Sequence, residues 1–166
     1  MTVKKNNQTA ILEKSYKIPK FSVVDSYGEV VSDKNLLGKW NVIYFYPKDM
    51  TSGCTIEAND FQKKIRSFQN LDCDIYGVSK DSCQSHQKFL TKEGLKFKLL
   101  SDEQGNLLES FAVWKEKSMY GKKFMGVERS TFLISPEGSV VAEWRKVKVT
   151  DHVENVLKTL KELIKL

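Results

Sequence analysis

Residues 130–144 read Ser130-Thr131-Phe132-Leu133-Ile134-Ser135-Pro136-Glu137-Gly138-Ser139-Val140-Val141-Ala142-Glu143-Trp144. Two runs of mostly apolar and β-branched residues flank Ser135-Pro136-Glu137-Gly138, which has the composition a tight turn demands. The spacing predicts an antiparallel hairpin over 130–134 and 139–144. A helix over about 151–166 follows, with Val153, Val156, Leu157, Leu160, Leu163 and Ile164 on its inner face.

Working back along the chain, Trp40 to Tyr46 is an aromatic and β-branched run suited to a central strand buried on both faces. Pro47 ends it, because proline has no N–H for a ladder. Helical spacing takes over from Gly53 to about Asn70, with Phe61, Ile65 and Phe68 facing inward. A strand over 74–79, a helix over 82–93 closed by Gly94, a short strand over 97–100 and a short helix over 106–111 come next. Phe21–Val24 and Glu29–Val31 around Ser26-Tyr27-Gly28 predict an N-terminal β-hairpin. Strand–helix–strand followed by a hairpin and a helix is the α/β, thioredoxin-like arrangement, a central mixed β-sheet flanked by helices. The rival is a flavodoxin-like parallel sheet. The turn at 135–138 argues against it, since doubly wound sheets place a helix between consecutive strands.

The 166 residues suit one full-sized core, and 40% hydrophobic with 29% charged residues describes an ordinary globular chain. Residues 1–17 are polar and read as a mobile arm, leaving 18–166 as a single domain. No apolar run is long enough to cross a bilayer, and the basic start of the chain lacks the apolar stretch of a secretory signal. The net charge of +6 comes from lysines spread along the chain, not from a basic stripe with interleaved aromatics. Nucleic acid and membrane partners are therefore not expected. Three cysteines, Cys54, Cys73 and Cys83, are too few for a disulfide framework and suit a reducing, cytoplasmic location.

Chemistry concentrates in Phe45-Tyr46-Pro47-Lys48-Asp49-Met50-Thr51-Ser52-Gly53-Cys54-Thr55-Ile56-Glu57. A strand stops, a polar loop follows, and Cys54 falls in the first turn of the next helix. Unpaired N–H groups and the macrodipole favour an anion there, and a thiolate is the nucleophilic form of cysteine. Position alone fits a small buried filler equally well. Thr51, three residues earlier, brings a hydroxyl within reach of the sulfur or a bound oxygen. Gly53 lets the backbone approach a ligand.

Pro47-x3-Thr51-x2-Cys54 resembles the active-site motif of the peroxiredoxins. The run from Phe45 through Ala58 is similar to the subfamily called peroxiredoxin Q or bacterioferritin comigratory protein. The resemblance continues in Gly77–Ser82, Leu100–Asp102, Trp114–Gly121 and Gly126–Ile134, and so covers nearly the whole chain from about Pro19. It implies a thiol peroxidase that reduces hydrogen peroxide and organic hydroperoxides, serving antioxidant defence. Cys54 would be the peroxidatic nucleophile, oxidised to a sulfenic acid. Thr51 would hydrogen-bond the attacked oxygen, Arg129 would hold the thiolate and organise the peroxide, and Pro47 would shield the pocket. No metal or organic cofactor is implied. Cys83-x2-His86 with the isolated Cys73 is too small a ligand set for zinc.

The chain departs from the two-cysteine pattern of many members of that subfamily. Asn59 and Leu90 occupy the two usual resolving positions. Cys73 should lie at the opposite end of the sheet, roughly 15–20 Å from Cys54, beyond the ~7 Å between Cα atoms that a disulfide tolerates. Cys83 shares the carboxyl edge and is the candidate resolving residue. A one-cysteine cycle with thioredoxin or another external thiol is the favoured alternative, and the resemblance points to a monomer. A thioredoxin-type reductase would need Cys-x-x-Cys, whereas Cys54 is followed by Thr55-Ile56-Glu57. A peroxide sensor or a redox-binding module remains as the other function. His86 and His152 are read as surface residues, although His86 with Cys54 is the minimum set for a cysteine hydrolase.

Overall fold

A computed structural model describes residues 10–165. Its core is one eight-stranded mixed sheet in the order β1-β10-β9-β4-β5-β6-β2-β3. The central strands β4 (Trp40–Phe45), β5 (Cys73–Ser79) and β6 (Lys98–Ser101) run parallel. The hairpin of β9 (Ser130–Ile134) and β10 (Ser139–Trp144) lies antiparallel to β4. On the other side, β2 (Ser22–Asp25) and β3 (Val30–Ser32) form the N-terminal hairpin, with β2 antiparallel to β6.

Alternation along β4 divides the core. Val42, Tyr44 and Tyr46 face a layer built by α1 (Ser52–Lys63), α2 (Ile65–Asn70), α3 (Cys83–Glu93) and α5 (His152–Lys165). Ile43 and Phe45 face the opposite side, packed with Leu107 and Leu108 of α4 (Asn106–Ser110) and with Phe111, Phe132 and Ile134. Both faces are apolar because both are covered. Tyr44 stacks on Phe61 at 4.5 Å between ring centroids. Space for its ring exists because residue 77 is glycine: a Cβ there would stand 2.9 Å from the Tyr44 ring and 2.8 Å from Leu99.

Two expectations change, and one further hairpin has no counterpart among them. Ile11–Lys17, read as part of a mobile arm, is strand β1, paired antiparallel with β10; the rest of that expectation, residues 1–9, lies outside the described residues. The helix expected over 53–70 breaks at Lys64, whose φ of −102° and ψ of 7° close α1 and open α2. Residues between 114 and 127 form an unanticipated hairpin, β7 (Trp114–Met119) with β8 (Lys122–Val127), which among the described residues pair only with each other.

Candidate active site

The parallel register of β4 and β5 brings two strand-to-helix junctions to one edge of the sheet, the 46–51 loop before α1 and the 80–82 loop before α3. Thr51 is the N-cap of α1 in extended conformation. Its hydroxyl does not cap the helix. It donates to the Lys48 carbonyl at 2.8 Å, and leaves the oxygen lone pairs free to accept. Cys54 is the third residue of α1, in the turn whose N–H groups have no intrahelical acceptor, and is only 2% exposed.

The antiparallel register of β4 with β9 pairs Phe45 with Ser130, so Arg129 enters beside the end of β4. Its Nη2 donates to the Cys54 sulfur at 3.5 Å, and its Nη1 to Glu57 Oε1 at 2.7 Å. The guanidinium therefore bridges two residues one helical turn apart. Gly53 makes room for it, since a Cβ there would lie 3.2 Å from Nη2. Approach of the backbone to a guanidinium, and not only to a ligand, is what this glycine permits.

Glu57 is fully buried, and its Oε2 has no hydrogen-bond partner. Burial raises its pKa from 4.5 to about 7, even though Arg129 pulls it down. For Arg129, burial works against the charge, but Glu57 and Cys54 overcome that and raise its pKa. The site thus holds one fixed cation, one sulfur and one carboxyl that changes charge near neutrality.

Pro47 is exposed at the rim, and Thr51 is exposed above the sulfur's helix. Cys83 begins α3 at the same sheet edge, half-buried, with its thiol donating to the Asp25 carbonyl at 3.3 Å. Cys73 pairs in register with Trp40, at the far end of β4. Asn59 bonds Glu93, and Leu90 is buried in the core.

The histidines are not surface residues. His86 is buried, with Nδ1 at 2.7 Å from Asp49 Oδ2 and Nε2 at 3.0 Å from the Leu100 carbonyl. His152 is buried against Thr131, 2.7 Å from its hydroxyl, and burial with the nearby Arg129 lowers its pKa to about 4. Asp49, Asp81 and His86 bring donor atoms within 4.8 Å of one another. These atoms are already engaged in hydrogen bonds, the arrangement of a polar network and not of an open metal cage. Sequence reasoning missed Glu57, Asp49 and His86. A signal existed for two of them: Cys54, Glu57, Ala58 and Phe61 follow i, i+3, i+4, i+7 spacing, and His86, Phe89 and Leu90 follow i, i+3, i+4.

Comparison with known proteins shows the family. The AhpC/TSA family model matches residues 15–143. The chain belongs to the AhpC/TSA family. It is similar to Peroxiredoxin Bcp of Bacillus subtilis, with 51% identity over 152 residues that make up 92% of this chain and 97% of that one. Peroxiredoxin Q of Xanthomonas campestris superposes with a TM-score of 0.83 at 48% identity, covering 86% of this chain and 90% of the other. A structure of bacterioferritin comigratory protein from the same organism concerns its alkyl peroxide reduction activity. Peroxidoxin BcpB of Mycobacterium tuberculosis superposes at 0.80 with 29% identity, covering 91% and 97%. The fold is thus that of thioredoxin-like peroxiredoxins, in the peroxiredoxin Q group. Peroxiredoxins are thiol-dependent peroxidases, and this chain is an oxidoreductase of that class.

Proposed function

We propose that Cys54 is the peroxidatic nucleophile and that its sulfur reduces hydrogen peroxide and organic hydroperoxides in a one-cysteine cycle. The observation that carries this reading is the Arg129 bridge, one guanidinium touching both the Cys54 sulfur and the Glu57 carboxylate. The thiolate attacks one peroxide oxygen, the O–O bond breaks, and the departing oxygen takes a proton to leave as water or alcohol. Sulfur is oxidised by two electrons to the sulfenic acid, and the peroxide is reduced by two.

Each neighbour has a task in that step. Arg129 gives the thiolate and the developing oxyanion a fixed positive partner, which needs no reorganisation as charge moves. The Thr51 hydroxyl, its own proton committed to Lys48, accepts the O–H of the incoming hydroperoxide. Pro47 forms the outer wall of the loop. An external thiol, thioredoxin or one like it, then attacks the sulfenic acid, releases water, and a second thiol frees Cys54. We place the enzyme in a reducing compartment, the cytoplasm, and read it as a monomer in antioxidant defence. No helix among the described residues is long and apolar enough to cross a membrane.

One equivalent of hydrogen peroxide, followed by intact mass with and without a sulfenic-acid trap, tests the cycle. A trapped adduct on Cys54 without an internal disulfide supports it. Loss of two hydrogens with a Cys54–Cys83 peptide makes Cys83 the resolving residue instead. A Cys54 that stays reduced removes the nucleophile assignment.

A further inference from the structure

The loop between β4 and α1 has a second anchor, separate from Arg129. Asp49 is 4% exposed and its carboxylate is fully occupied. Oδ1 accepts from the Tyr46 hydroxyl at 2.6 Å, while Oδ2 accepts from the Ser85 hydroxyl at 2.8 Å and faces His86 Nδ1 at 2.7 Å. The Asp49 N–H donates to Asp81 Oδ2 at 2.8 Å, and that same oxygen is held by the Ser79 hydroxyl at 2.6 Å. Side chain and main chain of one loop residue are thus tied to α3 and to the end of β5.

The protons can be counted. A carbonyl only accepts, so the 3.0 Å contact with Leu100 requires a proton on His86 Nε2. The Nδ1–Asp49 contact then requires a second proton, on the ring or on the carboxyl. One proton lies between Asp49 Oδ2 and His86 Nδ1 and joins the two side chains. Both ring nitrogens are needed to connect β6, α3 and the loop.

What the clamp holds is the residue next to it. Met50 has φ of +65°, the left-handed region that a side chain ordinarily avoids. Such a residue costs on the order of 1–3 kcal/mol and persists only where its surroundings over-determine it. Lys48 and Thr51 flank Asp49 and Met50, and the Thr51 hydroxyl closes back on the Lys48 carbonyl. The orientation of Thr51 therefore depends on Asp49. The sulfur depends on a different support, the Arg129–Glu57 pair entering from β9.

We propose that the buried Asp49–His86 pair is a positioning device for the peroxide-binding half of the site, holding Thr51 in place without acting on the sulfur. This rests on the reading of Cys54 as nucleophile, which the trapping experiment on the wild-type enzyme checks independently. The test uses Asp49→Asn, His86→Gln and the double variant, with two rates on each: sulfenic acid formation by hydrogen peroxide, and alkylation of Cys54 by iodoacetamide across pH. Iodoacetamide reads the thiolate but needs no Thr51. Each single variant is expected to lower the peroxide rate by about 10- to 100-fold, the loss a misplaced contact produces. Alkylation and its pH profile are expected to match wild type. The double variant should be no slower than the worse single, because the two residues act as one unit. Tyr46→Phe and Ser85→Ala each remove one bond to Asp49 and should give the same split at smaller size, should the first variants fail to fold. Equal loss of both rates, or an unchanged peroxide rate in folded variants, overturns the proposal.

Discussion

Cys54 and Cys73 are equally hidden, each 2% exposed, and both lie in the same core layer. Their surroundings differ in every other respect. Cys73 opens β5 at the amino end of the parallel strands, where burial, reinforced by Asp74 and Asp72, pushes its pKa well up. Its thiol donates to the Asp74 carbonyl at 3.5 Å, and the nearby Lys39 ammonium is drawn to Asp74 at 3.3 Å. Cys54 lies past the carboxyl end of β4, in the first turn of a helix and against the Arg129 guanidinium. On the proposed reading of Cys54 as nucleophile, burial alone does not make a cysteine inert. The end of the sheet on which it sits, and the sign of the charge beside it, separate the two.

The largest expected effect tests that separation directly. Cys54→Ser should abolish peroxide consumption in the presence of a thiol, down to the rate of that thiol alone, while Cys73→Ser should retain full turnover. Residual protein-dependent turnover in Cys54→Ser would falsify the assignment. Next in size is Arg129→Lys. One ammonium cannot span the Glu57 carboxylate and the sulfur as a planar fork does, so the rate of sulfenic acid formation should fall on the order of 100-fold. Stopped-flow oxidation with hydrogen peroxide measures it. A loss under three-fold would mean that charge, and not the bridge, is what the sulfur requires.

A third prediction concerns stability, and its sign follows from two opposed titrations. Glu57 has its pKa raised from 4.5 to about 7, so its contribution is fully present below about 4.5 and is lost as pH climbs through 7. His152 has its pKa lowered from 6.5 to about 4, so its contribution is present above 6.5 and is lost as pH falls through 4. Between pH 4.5 and 6.5 the two slopes oppose each other, and folding stability should be nearly flat. Glu57→Gln removes one of them. Denaturant unfolding of that variant should show stability rising with pH across this window, by on the order of a few kcal/mol. His152→Asn should show the reverse slope. Unaltered profiles in both variants would mean that neither group titrates in this range.

Legibility of the chain followed the reach of each interaction. The hairpin at 130–144 and the bounds of the helix after it are legible nearly to the residue, because Pro136 and Gly138 mark the turn and the apolar face is local. Ile164, expected on that inner face, is instead exposed in the last turn, where the helix runs past the core. Strand β1 was missed: Glu13, Lys14, Ser15 and Lys17 carry no strand pattern, and an edge strand joins through backbone bonds that ask little of side chains. The β7–β8 hairpin is hidden for a similar reason, since its residues are mostly exposed and it pairs with no other strand among the described residues. In the candidate site, the loop and Cys54 are contiguous and so stand out together in the sequence, whereas Arg129 enters only through resemblance. Its 75-residue separation from Cys54 is bridged by the Phe45–Ser130 register, which no local pattern reports. His86 reads as a surface residue in the sequence because its partner, Asp49, lies 37 residues earlier. A buried polar group is legible only when its partner is.

The smallest effect is the one that isolates position from burial. Cys73→Ala removes a sulfur as deeply buried as Cys54, and leaves a small void beside Trp40 and Ile75. Loss of one buried heavy atom should lower stability by about 1 kcal/mol, read as a shift in the denaturant midpoint. It should leave peroxide turnover within two-fold of wild type, because Cys73 is separated from the reacting edge by the length of β4, about 20 Å at ordinary strand rise. Asp74→Asn with Cys73 left in place takes away a neighbouring negative charge and the acceptor of Lys39, and so makes the surroundings of Cys73 more like those of Cys54. If charge sign alone decided reactivity, that single change would make Cys73 consume peroxide in a Cys54→Ser background. The expected outcome is faster alkylation of Cys73 by iodoacetamide with no peroxide consumption, because a thiolate without Thr51 and Arg129 has nothing to receive the departing oxygen.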